Sequence, residues 1–220
     1  MGRASISILL DLDGTLVDSQ SGIQASCHAA LRALGHEPAP SINLATIIEP
    51  PIDRVMQQLL APYGDGRVTE AVAAYREHYG SVGLLRCTVY PGVGGALNQL
   101  AAAGARLYVA TSKPAATARR ILTHVGLSDR LSGIYGAAAD GSLSEKTPLI
   151  AHILEREDLD AARCVMVGDR CYDVVGAHAS GVRAVGVLWG YGTREELTHA
   201  GADVLIGHPT ALAAASGCAP

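Results

Sequence analysis

The stretch SILLDLDGT (residues 7–15) closes an aliphatic run with two acids, Asp11 and Asp13. In an extended chain alternate side chains leave on the same side, so both carboxylates start out facing one way, where like charges repel. Such a pair either caps a strand and solvates a turn, or shares a cation and divides a piece of chemistry. Further chemistry-bearing residues stand at the ends of later apolar runs: Thr111, Ser112 and Lys113 after ARLYVA, then Lys146 opening KTPLIAHILERE, then Asp169 and Asp173 in GDRCYD. Each is a weak signal alone. Acids, hydroxyls and ammonium groups contributed in this order by separate elements point to one shared site.

Bringing strand ends to one place takes a parallel sheet, and the chain is patterned for one. From residue 89 onward apolar β-type runs alternate with amphipathic segments: helix 92–104, strand 105–112, helix 114–126, strand 132–137, helix 146–157, strand 162–169, helix 173–181, strand 183–190, a run at 202–207 and a short last helix. This alternation predicts right-handed βαβ crossovers, hence an α/β fold with a doubly wound parallel sheet whose ligand crevice lies beyond the strands' carboxyl ends. Residues 15–86 break the pattern with helical stretches at 21–35, 52–64 and 68–80 and no convincing strand. The expected organisation is a core of residues 1–14 and 87–220 carrying an inserted helical cap, 15–86, over the sheet's carboxyl edge.

A chain of 220 residues, 49% hydrophobic and 17% charged, can bury one sizeable core and a small accessory domain. A net charge of -4 with no basic run leaves no electrostatic footprint for nucleic acid. Asp11 interrupts the first apolar stretch and no window is long enough to span a membrane, so a cytoplasmic protein without nucleic-acid or membrane partners is expected. Its oligomeric state is not legible. The five cysteines form no C-x-x-C pair and are read as free thiols, and the eight histidines are scattered without metal-ligand spacing. Of 17 basic residues only Lys113 and Lys146 are lysines, and both fall among the strand-end residues.

DLDGT, ATSK, the EK opening a helix and GDRCYD resemble the four motifs of the haloacid dehalogenase superfamily of phosphatases, in the usual order and over essentially the whole chain. The insert is similar to the helical cap of the phosphoglycolate phosphatase-like branch. YREHYG, VYPGV, VATSKP and the run from VGDRCYD to GTREEL resemble a subgroup described as 5'-nucleotidase-like. Leu12 stands where the family usually has Phe, and its side chain is expected to pack.

The resemblance implies a phosphatase acting on a small phosphorylated metabolite. Asp11 would be the nucleophile, forming an aspartyl-phosphate, and Asp13 the general acid and then base. Mg2+ would be held by Asp11, the backbone carbonyl of Asp13 and Asp169, with Asp173 acting through water. Thr111, Ser112, Lys113, Lys146 and the peptide amides around Leu12 and Asp13 would receive the phosphate. A dehalogenase has no need of Asp13, and a Schiff-base phosphonatase needs a cap lysine that residues 15–86 lack. A β-phosphoglucomutase-type phosphomutase shares all four motifs and stays open; a non-catalytic binding module usually loses a motif acid, and none is lost here. In IIEPPIDRV two prolines stiffen the loop after Glu49, whose carboxylate would repel phosphoglycolate and accept hydroxyl protons from a nucleoside or sugar phosphate. Against this, Glu49 can pair with Arg54 instead, and Arg170 can supply the cation a carboxylated substrate needs, which keeps phosphoglycolate as the alternative. Cap closure about hinges near 15–18 and 86–90, and oxidation of Cys171 in the acidic loop, are further expectations.

Overall fold

A computed structural model of the chain describes residues 6–38, 48, 52–138 and 140–218. The chain divides into one unit of Met1–Asp18 with Val89–Pro220 and another of Ser19–Thr88. In chain order, β1 (Ser7–Leu10) and β2 (Val17–Asp18) lead into α1 (Gln20–Ala33), α2 (Ile52–Leu60) and α3 (Val68–Ser81). After β3 (Thr88–Val89) come α4 (Val93–Ala102), β4 (Arg106–Pro114), α5 (Ala115–His124), β5 (Gly133–Ala137), α6 (Lys146–Arg156) and β6 (Cys164–Gly168). The chain closes with α7 (Cys171–Ala179), β7 (Arg183–Val187), α8 (Arg194–His199), β8 (Val204–Ile206) and α9 (Leu212–Ala215).

The first unit is built on a six-stranded sheet of order β5-β4-β1-β6-β7-β8. Its strand pairs are parallel, with Ser7–Leu10 registered against Arg106–Val109 on one side and Cys164–Val167 on the other. Every residue of β1 is buried, which is why the strand reads as a continuous apolar run rather than an alternating one. On one face, Leu9, Tyr108, Met166 and Ala184 pack against Leu149, Ile150 and Ile153 of α6 and Val174 and Ala177 of α7. Those α6 residues sit on one helical stripe, and each aliphatic side chain buried there contributes about 1.5–3 kcal/mol. The sheet is the expected α/β doubly wound one. Successive strands run outward from β1 in both directions, so the ends of β1, β4 and β6 meet at the switch point where such sheets bind ligands.

In the second unit α1 and α3 run close together where α3 ends. A Cβ at Gly22 would lie 2.0 Å from the Gly83 carbonyl oxygen, so the turn after α3 could not approach α1 as it does with a side chain there. Ser26 Oγ donates to the Gly22 carbonyl at 2.8 Å and lies 2.9 Å from His78 Nδ1. Ile23, Cys27, Leu31, Val55, Met56 and Leu60 form much of this unit's core.

Several details differ from the expected pattern, beginning with the short strand β2 inside residues 15–86, where none was expected. The units divide after Asp18 rather than Gly14, because Leu16 and Val17 are buried and the Leu16 carbonyl accepts Tyr90 N at 3.2 Å within the sheet unit. β7 stops at Val187, and α7 starts at Cys171, ahead of Asp173. α8 gives no helical period in the sequence: it is six residues long, and its start is closed by Thr193 Oγ1 accepting Glu196 N at 3.1 Å. Among the described residues no helix is long and apolar enough to cross a membrane.

Candidate active site

Asp11 extends β1 by one residue. Its N–H donates to the Val167 carbonyl at 2.9 Å, and its side chain is buried. The chain then turns sharply: Leu16 N and Val17 N both donate to the Leu12 carbonyl at 3.0 Å, and Gly14 N donates to the Val17 carbonyl at 2.9 Å. Gly14 has a φ of 85°, and a Cβ there would lie 2.2 Å from Asp169 Oδ2, so both backbone and space demand glycine. Leu12 is fully buried, in keeping with packing.

Lys146, the first residue of α6, reaches under the same strand end. Its Nζ lies 2.5 Å from Asp11 Oδ1 and 2.7 Å from Asp173 Oδ1, and donates to the Ala110 carbonyl at 2.9 Å. Asp169 follows β6; its Oδ1 accepts Thr15 Oγ1 at 3.1 Å and its Oδ2 accepts Tyr191 N at 2.8 Å. Asp173 sits in the first turn of α7, where its Oδ2 accepts Arg170 N at 3.1 Å. Its Oδ1 is at ion-pair distance from Lys146 without hydrogen-bond geometry, so the Lys146–Asp173 contact is Coulombic.

Thr111 and Lys113 lie near the end of β4, where the register against β5 shifts between Thr111 and Pro114. Such a bulge re-aims side chains at a strand end. Lys113 N donates to Thr111 Oγ1 at 3.2 Å, and Lys113 Nζ lies 3.0 Å from Asp13 Oδ2. Thr111 is buried and Ser112 half-buried. Both lysines of the chain are therefore engaged by carboxylates of DLDGT.

The electrostatics of this cluster are unbalanced. Carboxylate oxygens of Asp11, Asp169 and Asp173 lie within 4.8 Å of one another, and all three residues are buried. Burial, with added repulsion from Asp173 and Asp169, pushes the Asp11 carboxyl well above its ordinary value against the pull of Lys146. Burial and then Asp173 push Asp169 up to about 7, although Tyr191 N and Thr15 Oγ1 favour its ionised form. Asp11 Oδ2 is buried with no hydrogen-bond partner. Three carboxylates around one ammonium and an unpartnered carboxylate oxygen fit a hard divalent cation, which takes oxygen ligands and supplies the missing positive charge.

Asp11, Lys146, Asp169 and Asp173 thus form one cluster, and Asp13 pairs with Lys113 beside Thr111. Arg170 turns elsewhere: its Nε donates to Glu196 Oε1 at 2.8 Å and its guanidinium lies 5.7 Å from the Tyr172 ring centroid. Glu49 lies outside the described residues. Several contributors lie within the quoted motifs but were given no role by the sequence. Thr15 binds Asp169, and Trp189 Nε1 donates to the Thr15 carbonyl at 3.1 Å. In WGYG, a Cβ at Gly190 would lie 2.3 Å from the Gly14 carbonyl oxygen, and one at Gly192 would lie 1.9 Å from the Asp169 carbonyl oxygen. Two glycines one residue apart straight after a strand are the trace this close approach leaves in the sequence.

The family of haloacid dehalogenase-like hydrolases matches residues 8–187. The chain belongs to that family. A 5'-nucleotidase of Pseudomonas aeruginosa is 40% identical over 205 residues, covering 90% of this chain and 91% of its own. A plasmid-borne phosphoglycolate phosphatase of Cupriavidus necator is 32% identical over 213 residues, covering 94% and 91%. Among solved structures, protein tyrosine kinase A of Mycobacterium tuberculosis superposes with a TM-score of 0.80 at 38% identity, over 97% of this chain and 99% of that one. This haloacid dehalogenase-like hydrolase is a phosphatase, with the acids and lysines of its motifs gathered at the sheet's switch point.

Proposed function

We propose that this hydrolase cleaves small phosphomonoesters through Asp11 in a Mg2+-dependent reaction, and that its substrates are nucleoside 5'-monophosphates or sugar phosphates. The observation that carries the reading is the buried Asp11 oxygen left without a partner inside a cluster of three acids and one lysine. Asp11, Asp169 and Asp173, with the Asp13 backbone carbonyl, would hold the cation. When bound, Mg2+ offsets the charge of the phosphate dianion and of the carboxylates around it.

The chain's own groups account for the bond changes. A carboxylate oxygen of Asp11 attacks phosphorus, forming an O–P bond as the ester P–O bond breaks, and Asp13 gives its proton to the departing alcohol oxygen. Lys146, pinned between Asp11 and Asp173, stands where negative charge spreads over the transferring phosphoryl oxygens. Thr111 and Lys113 offer a hydroxyl and an ammonium from the bulged end of β4. In the second step Asp13 takes a proton from water as that water attacks phosphorus, releasing phosphate and restoring the Asp11 carboxylate. One group thus donates and then accepts the same kind of proton.

Two observations support the substrate class. The Arg170 guanidinium is already balanced by Glu196, unlike a cation kept for a substrate carboxylate. The 5'-nucleotidase relative is also more similar to this chain than the phosphoglycolate phosphatase, at comparable coverage. The test is kcat/KM with Mg2+ for nucleoside 5'-monophosphates, sugar phosphates and phosphoglycolate. The expected result is preference for the first two classes, with Asp11→Asn reduced to background phosphate release and EDTA abolishing wild-type turnover. A preference for phosphoglycolate would return the substrate to that acid, and sugar phosphate isomerised without release of phosphate would make the enzyme a phosphomutase.

A further inference from the structure

The two acids contributed by GDRCYD flank a bend at Arg170 that carries the chain from β6 into the first turn of α7. Part of its shape is held locally, since Asp173 N donates back to the Arg170 carbonyl at 3.2 Å. A second hold comes from another element: Glu196 Oε1, on α8, accepts both Arg170 Nε at 2.8 Å and Cys171 N at 2.9 Å. Cys171 is the first residue of α7, so its N–H is one of the donors a helix start leaves without an internal partner, and a carboxylate is favoured there. Arg170 N in turn donates to Asp173 Oδ2 at 3.1 Å, which links the residue Glu196 grips to the orientation of Asp173.

Glu196 is itself well placed to impose a position. Its N–H is tied to Thr193 Oγ1 at 3.1 Å, and the next residue, Leu197, is fully buried. The loop leading into α8 touches the other acid: Tyr191 N reaches Asp169 Oδ2, and position 192 comes so close to the Asp169 carbonyl that only glycine fits. The segment from Tyr191 to Glu196 therefore brackets both Asp169 and Asp173.

We propose that Glu196 is a positioning residue that sets the spacing of Asp169 and Asp173 for Mg2+ by pinning the bend between them. The inference rests on the Mg2+ dependence proposed above. Partners just outside a metal's ligands typically control affinity by about 10- to 100-fold. Calorimetric titration of the substrate-free full chain with Mg2+ should accordingly show a Kd raised about tenfold or more in Glu196→Ala. Glu196→Gln, which keeps an oxygen acceptor at the same reach, should stay within about threefold of wild type, and Glu195→Ala, at the exposed neighbour, should match it. Turnover of Glu196→Ala should recover at high Mg2+, because the lesion lies in metal affinity.

A folded Glu196→Ala protein that binds Mg2+ within twofold of wild type overturns the inference, even if its thermal midpoint is lower. Should that variant fail to fold, Glu196→Asp replaces it. Its shorter side chain cannot reach both donors, so its Kd should exceed that of Glu196→Gln at least fivefold, and equal values would overturn the inference. A wild-type chain that binds no Mg2+ would instead overturn the proposed metal dependence, and the role of Glu196 with it.

Discussion

Replacing Asp169 by asparagine should stabilise the metal-free protein above neutral pH while destroying its affinity for Mg2+. Asp169 is fully buried, and its pKa rises from 3.8 to about 7 because burial, and then Asp173, penalise the charge. Below the unfolded value both states carry the proton. Between 3.8 and about 7 the folded chain holds more proton than the unfolded one, so stability falls as pH rises through that window. Once the group is ionised in both states the fold has lost about 4 kcal/mol, at about 1.4 kcal/mol for each tenfold change in proton affinity.

Asparagine removes that cost without stranding its neighbours. Its carbonyl oxygen can accept the Tyr191 N–H that now reaches Oδ2 at 2.8 Å. Its amide can donate to Thr15 Oγ1, 3.1 Å from Oδ1, once the hydroxyl turns from donor to acceptor. Allowing for the burial of a neutral amide, the net gain should be about 2–4 kcal/mol at pH 8. That is about 5–15 °C in Tm for a chain of this size. The assay is thermal and urea unfolding of both proteins in EDTA at pH 8 and pH 5, then again in saturating Mg2+. The gain should shrink by more than half at pH 5, and added Mg2+ should reverse the ranking. A variant no more stable than wild type at pH 8 in EDTA, or a gain independent of pH, would refute the account of the cluster as short of positive charge.

Gly14→Ala should cost about 2–4 kcal/mol of stability and weaken Mg2+ binding, since it adds a Cβ at a φ of 85° and 2.2 Å from Asp169 Oδ2; unfolding and calorimetry read the two effects. Lys113→Met removes the ammonium 3.0 Å from Asp13 Oδ2 and should raise KM for a phosphomonoester about 10- to 100-fold with the fold retained; unchanged kinetics would take Lys113 out of the site. Ile153→Ala, in the packed face between α6 and the sheet, should lower stability by about 2–5 kcal/mol while leaving kcat of the folded fraction unaltered.

What was legible in the sequence, and what was not, divides along a physical line. Asp11 and Asp169 could be placed because a strand buried on both faces is an aliphatic run whose first polar residue marks where it leaves the sheet, and Thr111 because it ends the aliphatic run of β4, although that strand continues through a bulge to Pro114. Lys146 could be placed because it opens a helix whose stripe of Leu149, Ile150 and Ile153 announces its packed face. Lysine scarcity added a second kind of trace, since a chain that otherwise uses arginine keeps its two compact ammonium groups for Asp11 and Asp13. None of this reasoning reaches Glu196. Its grip on Arg170 spans 26 residues and depends on α8, whose six residues are too few for a helical period to declare itself. Nor does periodicity reveal why Gly14, Gly190 and Gly192 crowd around Asp169, because what they contribute is the absence of a side chain. Chemistry-bearing groups are written into the sequence as residue types at strand ends. The approach that fixes their spacing to within an ångström is written only as small residues and as partners distant along the chain. Substitutions at Gly190 or Gly192 should for that reason disturb metal affinity as strongly as substitutions at Asp173 itself, although neither glycine offers a ligand atom from its side chain. Calorimetric Mg2+ titration of Gly192→Ala beside Asp173→Asn would decide this, and a Gly192→Ala Kd equal to wild type would show that backbone approach at Asp169 does not set the site.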